Sequence, residues 1–138
     1  MPDNRRLYKK EKLCGQLAVE ALFDRTNPEI GSALAYPLRM VWLPNPRRHN
    51  DADIRFAIVV PKRRLRHAVD RVTMRRRIRE AYRLSRPVSP LAQNSLVSRR
   101  LDVAFVYVAD TLQPYARIDR AMRRLLAQLP QIDNALTL

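Results

Sequence analysis

The chain has 138 residues, with 27 Lys and Arg against 13 Asp and Glu, a net charge of +14 and a sequence pI of about 11.3. That length fits one domain, and the charge exceeds the magnitude of about 8 that solubility asks of a small domain, so a polyanionic partner is expected. A single cysteine, Cys14, excludes an internal disulfide framework and a thiolate metal cluster, and no apolar run approaches the ~20 residues of a membrane span; a soluble cytoplasmic protein with no membrane partner is expected.

Residues 1–12 carry Arg5, Arg6, Lys9, Lys10 and Lys12 without an apolar period and read as a basic lead-in, mobile until it meets a partner. Over 13–25 the spacing predicts a helix: Leu13, Leu17 and Ala21 recur at i, i+4 and i+8 as one buried stripe, while Val19 and Phe23 fall on another side. Pro28 and Gly31 among polar residues make 26–35 a loop. Between Pro37 and Pro44, residues 38–43 alternate Leu38, Met40 and Trp42 against Arg39, Val41 and Leu43, which predicts a strand. Residues 45–53, with Pro46, Arg47, Arg48 and His49, read as an exposed basic connection with room for one more short strand. Residues 54–60 are apolar apart from Arg55, as in a strand covered on both faces, and Pro61 stops it.

From 64 to 86 the pattern turns helical. Met74, Ile78, Ala81 and Tyr82 lie together on the buried side, and Arg75, Arg76, Arg79, Arg83 and Arg86 share about 100° of adjoining arc. Pro87 and Pro90 end the helix, 88–100 is a polar loop and 101–109 a further strand. The last helix, 115–129, gathers Ile118, Ala121, Met122, Leu125, Leu126 and Leu129 on one stripe and turns Arg117, Arg120, Arg123 and Arg124 largely away from it. The expected fold class is α+β: a single-domain sandwich in the order αβ(β)βαβα, a small sheet packed by helices.

A self-sufficient catalyst should show a nucleophile with its base, a metal cluster or a phosphate cradle. His49 and His67 lie among arginines with no ligand-spaced cysteine or carboxylate, and two glycines, Gly15 and Gly31, cannot build a phosphate-binding loop. Neither catalytic nor metal-ligating residues are expected in the protein. What stands out is 62–86, where eleven basic residues face only Asp70 and Glu80, so that 25 residues hold nine of the fourteen net charges. Two carboxylates cannot neutralise eleven cations by ion pairing along a helix, whereas a polyphosphate relieves the repulsion and releases counterions. Arginine predominates, and its planar fork takes phosphate bidentately and stacks on bases. Phosphate contacts carry no information about the sugar, so RNA and DNA both stay open on this ground.

The stretch 56–83, FAIVVPKRRLRHAVDRVTMRRRIREAYR, resembles the signature of the bacterial ribonuclease P protein family: a strand, a basic turn, the pair Ala68 and Val69, then a helix with Arg71, Arg75, Arg76, Arg79 and Glu80 at matching positions. Val72 and Thr73 stand where the family has asparagine and arginine. The similarity extends over most of the chain, with 13–130 as the RNA-binding domain and 131–138 as a C-terminal tail. It implies an RNA partner, with Lys62, Arg63, Arg64, Arg71, Arg75, Arg76, Arg79 and Arg83 as the RNA-binding residues. The resemblance further implies a protein subunit of an RNA endonuclease that matures the 5′ end of tRNA. Its catalytic RNA holds the Mg²⁺ ions, and its partners are that RNA and precursor tRNA, with no protein partner. Val19, Phe23, Arg39 and Val41 would line a cleft for the 5′ leader between the first helix and the sheet. Phe23 would stack on unpaired bases there or be an ordinary core ring, and either Arg39 with Val41 or Met40 with Trp42 would face the cleft. A left-handed βαβ crossover is also implied, against the right-handed default. The competing reading is a structural RNA-binding protein of ribosomal type with no role in processing.

Overall fold

The computed structural model describes residues 7, 12–13, 16–44, 54–85 and 101–128. Its elements are α1 (Gln16–Ala21), β1 (Gly31–Ala35), β2 (Leu38–Pro44), β3 (Ile54–Val59), α2 (Ala68–Ser85), β4 (Leu101–Tyr107) and α3 (Tyr115–Leu126). The four strands form one mixed sheet in the order β1-β2-β4-β3, antiparallel except for the parallel pair β3 and β4, which α2 connects. The α+β single domain expected from the sequence is therefore what the chain forms.

Alternation along the strands sorts side chains onto two faces. Leu38 and Met40 of β2, Phe56 of β3 and Leu101, Val103, Phe105 and Tyr107 of β4 join the stripes of α2 and α3 in the larger core. Tyr82 of α2 seats its ring against Phe56 at 4.2 Å and Phe105 at 5.5 Å between centroids, both tilted. The buried side of α2 is Met74, Ile78, Ala81 and Tyr82, and that of α3 is Ile118, Ala121, Met122, Leu125 and Leu126, as the helical period predicts. On the opposite face Val41 and Ala104 form a smaller core with Leu13 and Leu22, flanked by Val19, Ile30, Leu43 and Ala57. The sheet is thus sandwiched, with α2 and α3 on one side and α1 on the other.

Three expectations need correction. The first helix does not run over 13–25: Lys12 pairs with Phe56 in a parallel bridge and the Leu13 amide donates to the Phe56 carbonyl at 2.7 Å, so these residues are extended. At its far end, Leu22 and Phe23 close tight turns onto Val19 and Glu20. Ala21 is exposed and Leu22, at 1% exposure, takes the buried place instead. Asp24 then accepts from the Thr26 amide at 3.0 Å and hydroxyl at 2.6 Å, and Asn27 accepts from the Glu29 amide at 2.9 Å, two side-chain turns that end the helical path. The Thr26 bonds hold the Asp24 carboxyl below its usual range.

The second correction is β1, which lies within the expected loop 26–35. Its Gly31 sits opposite Trp42, and any side chain there would overlap the indole ring. Gly31→Ala is therefore expected to displace Trp42 and cost about 1–3 kcal/mol by overpacking, read as a lower midpoint in urea with an unchanged slope. The third concerns 64–86: Arg64 belongs to a turn, and helix begins only at Ala68. The expected extra strand within 45–53, the loop 88–100, the tail 131–138, and Arg86 and Leu129 lie outside the described residues. Of the lead-in, Leu7 rests against the larger core and Lys12 makes the bridge to β3.

Candidate nucleic-acid interface

The basic turn after β3 is built from the backbone outward. The amides of Arg64 and Leu65 donate to the Pro61 carbonyl at 3.0 and 3.3 Å, and buried Leu65 anchors the turn to the core. From the first turn of α2, Arg71 Nη1 donates to the Leu65 carbonyl at 2.8 Å and the Arg66 carbonyl at 2.9 Å. Arg64 is drawn sideways into an ion pair with Asp110 at 2.9 Å. Lys62, Arg63 and Arg66 are left exposed on the turn.

Along α2 the arginines separate by role. Arg77 donates to the Gln113 carbonyl ahead of α3, and Arg83 forks onto the Glu80 carboxylate one turn back. That bond holds the Glu80 carboxyl below its ordinary range and pushes the Arg83 guanidinium up. No ion pair or hydrogen bond among the described residues engages the side chain of Arg75, Arg76 or Arg79. Arg76 and Arg79 are exposed and Arg75 partly so. By rotation of 100° per residue, Val72 sits in the middle of their arc; it is 51% exposed, and Val69 beside it is 74% exposed. Val72 thus places a methyl pair at the centre of a guanidinium surface.

The eight sequence-derived candidates therefore divide. Lys62, Arg63, Arg75, Arg76 and Arg79 present charge outward; Arg64, Arg71 and Arg83 spend part or all of theirs inside the protein. Arg71 shapes the turn that displays Lys62 and Arg63. For Arg64 and Arg71 the pattern of the sequence supplies no signal, since their partners lie on another element or on backbone, whereas the Glu80–Arg83 pair has a spacing of i, i+3 that the sequence does show.

On the other sheet face, Val19 and Val41 meet in the smaller core, where Val41 is 3% exposed beneath α1. Arg39 shares that face, exposed, in a cross-strand row with Leu34, Val106 and Val59. Met40 and Trp42 point to the opposite side, into the larger core. Phe23 is 44% exposed in the turn after α1 and is not a core ring.

A buried pair escaped sequence reasoning. Arg55 of β3 grips Asp102 of β4 with Nε to Oδ1 at 3.0 Å and Nη2 to Oδ2 at 2.9 Å, the two residues being register partners. Among the described residues no group of three or more His, Cys, Asp or Glu gathers where a metal could sit, and no helix is long and apolar enough to cross a membrane.

Fold and surface together define a class: a small, strongly basic α+β domain whose longest helix carries arginines that no carboxylate among the described residues pairs. The family model described as Ribonuclease P matches residues 15–130. The ribonuclease P protein component of Porphyromonas gingivalis strain ATCC 33277 is 34% identical over 113 residues, covering 78% of this chain and 80% of that protein, and its counterpart in strain W83 matches to the same extent. The chain belongs to the ribonuclease P protein family.

Proposed function

We propose that the chain is the protein subunit of ribonuclease P, binding the catalytic RNA through the 61–67 turn and α2 and holding the 5′ leader of precursor tRNA against the α1 side of the sheet. The observation that carries this reading is the set Arg75, Arg76 and Arg79, exposed or partly exposed on one helix and without an internal partner among the described residues. Phosphates supply the missing negative charge and fix the register of the RNA on the helix. The exposed ring of Phe23, at 44%, offers a stacking surface for an unpaired leader base, and Arg39 offers a backbone contact on the same side of the sheet.

The chemistry in this reading is positional. In this reading the metal ions of the cleavage step are held by the RNA, and no step is routed through a protein-held ion. The protein lowers the cost of bringing scissile phosphate and catalytic RNA together by holding both in one geometry.

Adding the protein to ribonuclease P RNA at low Mg²⁺ is expected to raise precursor cleavage; binding without any gain would leave only a structural RNA-binding role. Phe23→Ala is expected to weaken binding of leader-bearing precursor several-fold more than binding of mature tRNA, stacking being worth about 1–3 kcal/mol per base. Equal losses for both RNAs would remove Phe23 from the leader contact.

A further inference from the structure

We infer that the outer face of α3 is a second RNA-backbone contact, so that α2 and α3 meet folded RNA as one two-helix platform; this rests on RNA being the partner of α2. The stripe that buries α3 leaves an opposite arc of about 120°, at 100° per residue. It holds Ala116, Arg117, Arg120, Arg123, Arg124 and Ala127, all exposed. No carboxylate falls within it. Asp119 sits at its margin and takes Arg123 at 3.1 Å, while Arg117 is steadied by the Gln113 side-chain carbonyl at 2.9 Å. No ion pair or hydrogen bond among the described residues engages the side chain of Arg120 or Arg124.

The residue types argue against a surface kept charged only for solubility, which mixes both signs. All four cations are arginines, suited to bidentate phosphate contact. The two alanines on the same arc leave the helix open to close approach by a backbone.

Placement sets this face in the same helix layer as the first. Both helices bury their stripes in the same core against the same sheet face, so their opposite surfaces look away from the sheet together. Packed helices lie about 8–10 Å apart, and Arg117 to Arg124 spans about 10 Å at 1.5 Å rise per residue. Guanidinium rows carried outward by two packed helices lie farther apart than the axes and suit two separate backbone segments of a folded RNA. Gln113 fixes their relation: its carbonyl accepts from Arg77 of α2 and its amide donates to the buried Tyr107 hydroxyl of β4 at 3.1 Å. Tyr107 in turn donates to the Thr111 carbonyl, so the start of α3 is held to both α2 and the sheet.

The test is salt-dependent binding of ribonuclease P RNA by the full chain and by Arg120→Gln/Arg124→Gln, with thermal melting to establish that both are folded alike. Removing two phosphate-binding guanidiniums is expected to flatten the plot of log affinity against log salt by about two units and to weaken binding at least tenfold at physiological salt. An unchanged slope in the α3 variant, while Arg75→Ala/Arg79→Ala still binds weakly, overturns this inference and leaves the proposed function standing. Failure of the unaltered chain to bind the RNA overturns both. Loss of binding to poly-glutamate with the RNA slope unchanged would assign the face to an acidic protein and also overturn the inference.

Discussion

Asp102→Ala is expected to cost about 3 kcal/mol of stability, because it strands a guanidinium between two strands of the sheet. The side chains of Asp102 and Arg55 are 5% and 17% exposed, so Arg55 keeps only a little solvent to fall back on. Removing both charges should be far milder: Arg55→Met/Asp102→Leu substitutes packing for the desolvated pair and is expected to recover most of the loss. Urea unfolding of the three variants gives the comparison. A single-variant loss below about 1 kcal/mol would place the pair with exposed ion pairs of little net value. Register adds a reason for its presence. A slip of β3 by one residue against β4 would set Arg55 opposite Leu101 or Val103 and turn Phe56 out of the larger core.

Arg75→Ala/Arg79→Ala is expected to weaken binding of ribonuclease P RNA about a hundredfold, at roughly 1.4 kcal/mol per tenfold step and one charge-assisted bond to phosphate per arginine. The salt slope should fall by about one unit for each phosphate no longer neutralised. Melting temperature should hardly move, since neither side chain makes an internal bond among the described residues. Titration of binding against salt for the double variant and each single variant separates these outcomes. An unchanged slope in all three would take this side of α2 out of the interface.

What could be read from the sequence follows from how far its signals reach. Met74, Ile78, Ala81 and Tyr82 recur with the helical period, so the buried side of α2 was legible from local spacing alone, as was the stripe of α3. The α1 region misled because Leu13, an extended residue bonded to Phe56, and Ala21, an exposed one, happen to fall on helical spacing. The edge strand β1 was invisible for a different reason. Gly31, Ser32, Ala33 and Ala35 are too small to announce a strand, and the first of them must be glycine because the Trp42 indole lies over it. The Arg55–Asp102 pair joins residues 47 positions apart, and the bonds of Arg64 and Arg71 end on Asp110 and on backbone carbonyls. A charge run identifies a basic surface, but only the fold decides which of its members still face outward.

The pairing of Lys12 with Phe56 lies on the side of β3 turned away from β4. A strand at the rim of a sheet carries unsatisfied amides and carbonyls that invite another chain to add itself. With residues 12–13 laid along it, part of that rim is already taken by the molecule's own backbone. Residues 12–13 therefore leave less of that rim open to pairing with a second chain.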